Sequence, residues 1–242
     1  VSPYDSGSYA SSTAYLTGMA AVKASKSMIR LITEKGAEYL EKTPEEVDFD
    51  GEQVFAKDGS ASISLKDIGN RAMANNGKAL EVTESHSSPV SPPPFMVGMA
   101  EIEMDQETCD FELVNYVAAV DCGTPINPAI ARVQTEGGLG QGIGMAMFED
   151  VTRSEKGQVY ENSFMQYKIP SRRDMGNIQV EFESSFEPTG PFGAKSIGEI
   201  VINTPAPALA HAIANATGIW FKELPITSEQ IAMGVFEKED IK

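Results

Sequence analysis

Pro92-Pro93-Pro94 closes the stretch Ser87-Ser88-Pro89-Val90-Ser91, and no regular element can run through it. Three consecutive prolines lack backbone N–H donors and fix φ, which excludes both a helix interior and a central strand. The chain therefore divides there into two packed parts. With 242 residues, 41% of them hydrophobic, it has apolar material for one large domain or two small ones. The expected division is a first subdomain over residues 1–84, a Pro/Ser linker over 85–98 and a second subdomain over 99–242.

Ahead of the break, Ser11 and Ser12 are hydroxyl N-cap candidates for a long helix whose Ala21, Ser25, Met28, Ile29 and Ile32 recur at helical spacing. Thr43-Pro44-Glu45-Glu46 reads as a second capped start. Asp50-Gly51 and Asp58-Gly59 flank a strand over Gln53–Ala56, and Ser64–Ala74 reads as a short helix ending near Gly77. Beyond the break, Met99–Met104 and Glu112–Val120 pattern as two hairpin strands. Asn127-Pro128 opens a helix running to about Phe148, and Ile178–Glu183 is a further strand. The last helix is expected to be capped by Thr204, with Pro205 in its first turn and Gly218 at its end. Hairpins and separate helices without βαβ alternation define an α+β fold, with no internal repeats. The opening Ser2–Gly7 is turn-rich, begins on Val rather than Met, and reads as the continuation of a longer chain.

The balance of 35 acidic against 19 basic residues, a net charge of −16, repels a phosphate backbone, so nucleic acid is excluded as an expected partner. No apolar run approaches the ~20 residues that span a bilayer, and no leader pattern precedes a cleavage site; a cytoplasmic protein is expected. Cys109 and Cys122 are too far apart for a CxxC motif and read as free buried thiols. His86 and His211 lie far from any second ligand-type residue, so a histidine-based metal site is not expected.

Three segments carry possible chemistry. Gln134-Thr-Glu-Gly137-Gly138-Leu-Gly140-Gln141-Gly142-Ile-Gly144 places several glycines inside one helix, each costing about 1 kcal/mol relative to alanine. Either close helix packing or the approach of a ligand to the backbone explains them. Gly7-Ser8-Tyr9-Ala10-Ser11-Ser12-Thr13 sets small and hydroxyl residues at a helix mouth, where N–H groups and the macrodipole favour an anion; a generous N-cap explains the same residues. Gly190-Pro191-Phe192-Gly193-Ala194-Lys195-Ser196-Ile197-Gly198-Glu199 delivers one carboxylate before the last helix. Held against Phe192 and Ile197, Glu199 is a candidate base of raised pKa; otherwise it is a surface acid near a helix.

Taken in order, four motifs resemble the C-terminal part of the molybdenum subunit in the xanthine dehydrogenase and aldehyde oxidase family. They are Ser8–Thr13 before a long helix, Val120-Asp121-Cys122-Gly123-Thr124-Pro125-Ile126-Asn127-Pro128, Gln134–Gly138 with Gln141–Gly144, and Gly193–Glu199. Tyr167–Ser171 and Leu224–Thr227 look like further landmarks, so the resemblance spans essentially the whole chain. It differs at Ser12, where many relatives have Arg, and at Ile200, where many have Pro.

The resemblance implies a fold, the molybdenum-cofactor-binding domain of mixed sheets with packed helices, and a division of labour. Glu199 would be the catalytic base, taking up the proton released as oxygen is transferred to an electron-poor carbon. Ala10, Ser11, Ser12 and Thr13 would cradle molybdopterin, possibly in its dinucleotide form, with Gln134, Gly137, Gly138 and Lys195 as further cofactor contacts. Molybdenum would be held by the pterin, so no residue here is an expected metal ligand. The implied partners are the front half of the molybdenum-binding subunit, iron–sulfur and FAD-bearing subunits or domains, a small-molecule substrate, and further copies in an oligomer. The implied reaction is hydroxylation of a purine or another N-heteroaromatic by the assembled enzyme, with this chain inactive alone. The alternatives are an aldehyde-oxidising relative, a non-catalytic structural or assembly domain of the same fold, and a general phosphate-ligand module.

Overall fold

A computed structural model describes residues 4–240 apart from Ser6 and Pro89. Ser2, Pro3 and Ser6 of the expected opening turn, and Pro89 of the expected linker, lie outside the described residues. By contact the chain forms two compact units, one of Val1–Gly7 with Thr13–Pro89 and one of Ser8–Ser12 with Val90–Lys242.

The first unit runs α1 (Thr13–Tyr39), a 3-10 turn (Pro44–Glu46), β1 (Val47–Phe49), β2 (Gln53–Ala56), β3 (Ser62–Ser64) and α2 (Leu65–Asn76), with the strands in one antiparallel sheet of order β1-β2-β3. Its turns follow from side chains that bond their own backbone. Asp50 accepts from the N–H groups of Glu52 and Gln53, and Asp58 from that of Ser60. Ser64 caps α2 by accepting from the Asp67 N–H, and Gly77 ends it in the left-handed conformation. Ile32, Ala37, Val47, Val54, Ile63 and Ile68 form the core. Helix α1 lies so close to β2 that a Cβ at Gly36 would stand 2.5 Å from that of Val54. The three-residue strands β1 and β3 go beyond the sequence pattern, which contains only β2.

The second unit runs β4 (Phe95–Met104), β5 (Phe111–Asp121), α3 (Pro128–Met147), β6 (Asn177–Phe182), a 3-10 turn (Pro191–Gly193), α4 (Ile200–Asn203), α5 (Pro205–Thr217) and α6 (Ser228–Asp240). β4 and β5 pair antiparallel, β5 and β6 parallel, in the order β4-β5-β6. Glu101 faces Asn115 while Ile102 faces Leu113, which leaves Val114 as the extra residue of a β-bulge. The bulge lets Leu113 and Tyr116 both turn to the core, where they join Val120, Leu139, Ile143, Val180 and Leu209. Cys109 and Cys122 are both buried free thiols.

Three sequence expectations are corrected here. β4 starts at Phe95, directly after the last proline, rather than at Met99. Thr204 does not cap α5: its backbone is itself helical, at φ −88° and ψ −26°, and its hydroxyl accepts a hydrogen bond from Tyr116 Oη at 2.8 Å. An N-cap needs extended backbone, which α4, ending one residue earlier, denies it. Finally, α6 follows what the pattern reads as the last helix. Its Ile231 is fully buried against Ile213 and Ile226.

Candidate functional site

Within the second unit, the end of β5 organises the loop that carries Glu199. The N–H of Lys195 donates to the Cys122 carbonyl at 2.7 Å, and that of Thr124 to the Gly193 carbonyl at 2.8 Å. Gly123 permits this approach, since its φ is +69° and a Cβ there would lie 2.3 Å from the Gly193 oxygen. An ion pair reinforces the seam: Lys195 Nζ meets Asp121 Oδ2 at 2.6 Å and also donates to the Pro93 carbonyl at 3.2 Å. The Lys195 side chain is 8% exposed and that of Asp121 21%. Burial works to raise the Asp121 pKa, but hydrogen bonds from Lys195, Ser185 and the Gly123 N–H outweigh it and hold the carboxyl below its usual range.

Glu199 stands immediately before α4 and is exposed. One carboxylate oxygen, Oε2, accepts from the Ser11 hydroxyl at 2.8 Å, across 188 residues of sequence. Ser11 belongs to a tight turn in which the N–H and hydroxyl of Ser12 both donate to the Tyr9 carbonyl, at 3.1 and 2.9 Å. Ala10 and Ser11 take left-handed φ values of +49° and +54°, uncommon for residues with a Cβ. The fit to the Glu199 loop is close: a Cβ at Gly198 would lie 2.9 Å from Ser11 Oγ. The apolar enclosure expected around Glu199 does not form among the described residues. Phe192, left-handed between buried Pro191 and Gly193, is 73% exposed, and Ile197 packs into the core of the unit instead.

Helix α3 starts where the sequence indicates, with Asn127 Oδ1 accepting from the Ile130 N–H at 3.2 Å and Pro128 in the first turn. Its glycines separate into two groups. A Cβ at Gly138 would meet Val201 at 2.1 Å, at Gly140 the Met175 methyl at 2.7 Å, at Gly142 the Pro205 ring at 2.6 Å, and at Gly144 the Glu149 carboxylate at 2.1 Å. These four serve packing. Gly137 is exposed and has nothing within 4 Å of its Cβ position, so packing within the chain gives no reason for it. Gln134, one turn earlier, is also exposed, and its side-chain amide has no hydrogen-bond partner among the described residues. Because Gly138 packs on Val201, this turn of α3 sits beside α4, whose first residue follows Glu199. The same face carries Ile130 and Val133, which are 61% and 65% exposed.

The structure thus brings Ser11 to Glu199 and the Gln134–Gly138 turn to α4, while Lys195 is turned inward onto Asp121. Asp121, Ser185 and the Pro93 carbonyl, which hold the Glu199 loop, are residues that sequence reasoning does not single out for a role. No local signal marks them, because Asp121 lies 74 positions from Lys195. Among the described residues no group of three or more His, Cys, Asp or Glu side chains is placed to hold a metal ion, and no helix is long and apolar enough to cross a membrane.

Residues 1–176 match the family model of the molybdopterin cofactor-binding domain. The chain is 33% identical over 233 residues to the Probable hypoxanthine oxidase XdhD of Escherichia coli (strain K12), covering 94% of this chain and 24% of that protein. It is 32% identical over 234 residues to the 6-hydroxypseudooxynicotine dehydrogenase complex subunit gamma of Paenarthrobacter nicotinovorans, covering 93% of this chain and 30% of the relative. In structure it resembles the Cu,Mo-CO dehydrogenase, with a TM-score of 0.83 at 23% identity over 99% of this chain and 31% of that one. The quinoline 2-oxidoreductase of Pseudomonas putida 86 gives 0.78 at 24% identity, over 97% of this chain and 31% of its own. These likenesses define an α+β molybdenum-cofactor-binding domain. The chain belongs to the xanthine oxidase family of molybdenum hydroxylases, as part of its molybdopterin-binding subunit, and it spans about a quarter to a third of the length of the relatives named.

Proposed function

We propose that this chain supplies the general base and part of the cofactor cradle of a molybdenum hydroxylase. The observation that carries the reading is the convergence of the small-residue loop Ser8–Ser12 on the loop ending at Glu199. The residues present fit molybdopterin. Ala10, Ser11, Ser12 and Thr13 offer small side chains at a helix mouth whose macrodipole favours a phosphate, Gln134 has a side-chain amide to donate and accept, and Gly137 leaves α3 open to close approach. Gly138 contributes by bringing α3 to α4, and Lys195 by holding the Glu199 loop on Asp121. When bound, the molybdenum cofactor supplies the oxygen transfer and two-electron redox chemistry. Glu199 accepts a proton at the carboxylate oxygen that Ser11 leaves free.

The substrate proposed is a purine or another N-heteroaromatic, supported by the relative named as a hypoxanthine oxidase. The rest of the molybdenum-binding subunit completes the site, and the exposed Ile130 and Val133 on α3 belong to the face it covers. Iron–sulfur clusters and FAD reside on other subunits or domains of a cytoplasmic, oligomeric enzyme. The polypeptide by itself is expected to be inactive and to purify without stoichiometric molybdenum; isolated chain carrying bound cofactor would contradict this. The decisive experiment is Glu199→Gln in the assembled enzyme, which keeps shape and removes the proton acceptor. Turnover per bound molybdenum is expected to fall by about 10² to 10⁴-fold at unchanged cofactor content. Near-normal turnover per metal would return Glu199 to a surface acid at a helix start.

A further inference from the structure

We infer that Ser11 is the positioning residue of Glu199, its hydroxyl fixing one carboxylate oxygen and leaving the other to take the proton; the inference rests on the reading of Glu199 as the base. Glu199 is exposed and joined to the backbone by rotatable bonds, so its own helix start does not select one carboxylate orientation. The hydrogen bond from Ser11 Oγ to Oε2 at 2.8 Å does. The backbone that presents this hydroxyl is fixed on both sides. Ser12 closes the turn onto the Tyr9 carbonyl with two hydrogen bonds, and Gly198 seats against Ser11 with no room for a Cβ.

Ser11 also holds a left-handed conformation that disfavours any residue bearing a Cβ. Were backbone geometry the sole requirement at this position, glycine would meet it better. A serine there is explained by its hydroxyl. A hydroxyl donates to one partner only, so the proton given to Glu199 is not given to a phosphate. Any share Ser11 takes in the cradle falls to its backbone. One side chain thereby ties the cofactor loop to the proton acceptor.

The test uses the assembled, cofactor-loaded enzyme with Ser11→Ala, Ser11→Gly, Glu199→Gln and the double variant Ser11→Ala/Glu199→Gln. Loss of a hydrogen bond to a charged group corresponds to about 10- to 100-fold, so Ser11→Ala is expected to lower kcat per bound molybdenum by that factor. Ser11→Gly is expected to do the same although it relieves the backbone. In the Glu199→Gln background the serine substitution is expected to change nothing further, because the partner it serves is gone. An infrared carboxylate band, assigned to Glu199 by subtraction of Glu199→Gln, is expected to shift and broaden in Ser11→Ala, in cofactor-free protein as well as in loaded enzyme. An unmoved band, or an equal loss of turnover in both backgrounds, would overturn the assignment of Ser11 while leaving a collapsed Glu199→Gln as evidence for the base. Full turnover in Glu199→Gln would instead overturn the base reading and the positioning role with it.

Discussion

Alanine at Gly137 and alanine at Gly142 are expected to act in opposite directions, although both glycines lie inside the same helix. Alanine is favoured over glycine in a helix interior by about 1 kcal/mol. At Gly137 the added Cβ meets nothing within 4 Å, so the whole of that gain is available. For a protein of this size it corresponds to a rise in Tm of about 2–4 °C. At Gly142 the Cβ would lie 2.6 Å from Pro205 Cγ, 2.8 Å from the Ile202 carbonyl oxygen and 2.9 Å from Pro205 Cδ. Neither a proline ring nor a backbone carbonyl can swing aside, so overpacking of about 1–3 kcal/mol opposes the gain. The two variants should differ by the overpacking penalty, about 1–3 kcal/mol, in equilibrium urea unfolding of the polypeptide followed by circular dichroism. In the assembled enzyme the order reverses in importance. Gly137→Ala, the stabilised variant, should bind less molybdenum, because its methyl group occupies the space through which a ligand approaches α3. A Gly137→Ala protein that is stabilised yet carries full cofactor would refute that role; one that is destabilised would refute the local geometry.

Lys195→Met keeps the aliphatic stem and removes the ammonium from a buried pair. Such losses cost about 3–5 kcal/mol, and the partial exposure of Asp121 puts this one at the low end, read as a drop in the urea midpoint. The same pair predicts a pH dependence. The folded pKa of Asp121 is depressed, so its stabilisation is present above the unfolded value of about 3.9 and is lost as pH falls through the lower folded value. The gap between the urea midpoints of the wild type and Asp121→Asn should therefore narrow as pH falls below about 4; a gap that does not narrow with acidification would count against it. Gln134→Ala should lower molybdenum content while turnover per bound metal stays far above that of Glu199→Gln, since an amide that positions a cofactor has no proton to take up.

The elements legible in the sequence are those whose signals are local. Asn127 and Pro128 start α3 because a cap and its first turn need only neighbouring residues, and the Asp-Gly pairs at 50–51 and 58–59 bracket β2 for the same reason. Pro205 equally marks a first helical turn, but it gives no warning that α4 ends one residue before Thr204 and keeps its backbone helical, or that Tyr116, 88 positions away, donates to its hydroxyl. Helix α6 escapes notice because its anchor, Ile231, is buried by Ile213 and Ile226, contacts that no pattern within the helix itself records. For the candidate site, the residue types of Ser8–Ser12 and Gly193–Glu199 are visible in the sequence, while their meeting is not. The inward turn of Lys195 is equally hidden, since a lysine in a glycine-rich loop reads the same whether it faces a ligand or an aspartate 74 positions away.

Ser8–Ser12 lies in sequence between Gly7 and Thr13, both of the first unit, but is grouped by contact with the segment that starts at Val90. In chain topology the segment Thr13–Pro89 is thus an excursion that leaves the second unit and returns to it. A shift of one position within Ser8–Ser12 would withdraw the hydroxyl from Glu199. Joining residues 188 apart, the contact is encoded by no local sequence: the carboxylate gains the partner that orients it only through the fold of the second unit, where β5 holds the Gly193–Lys195 segment.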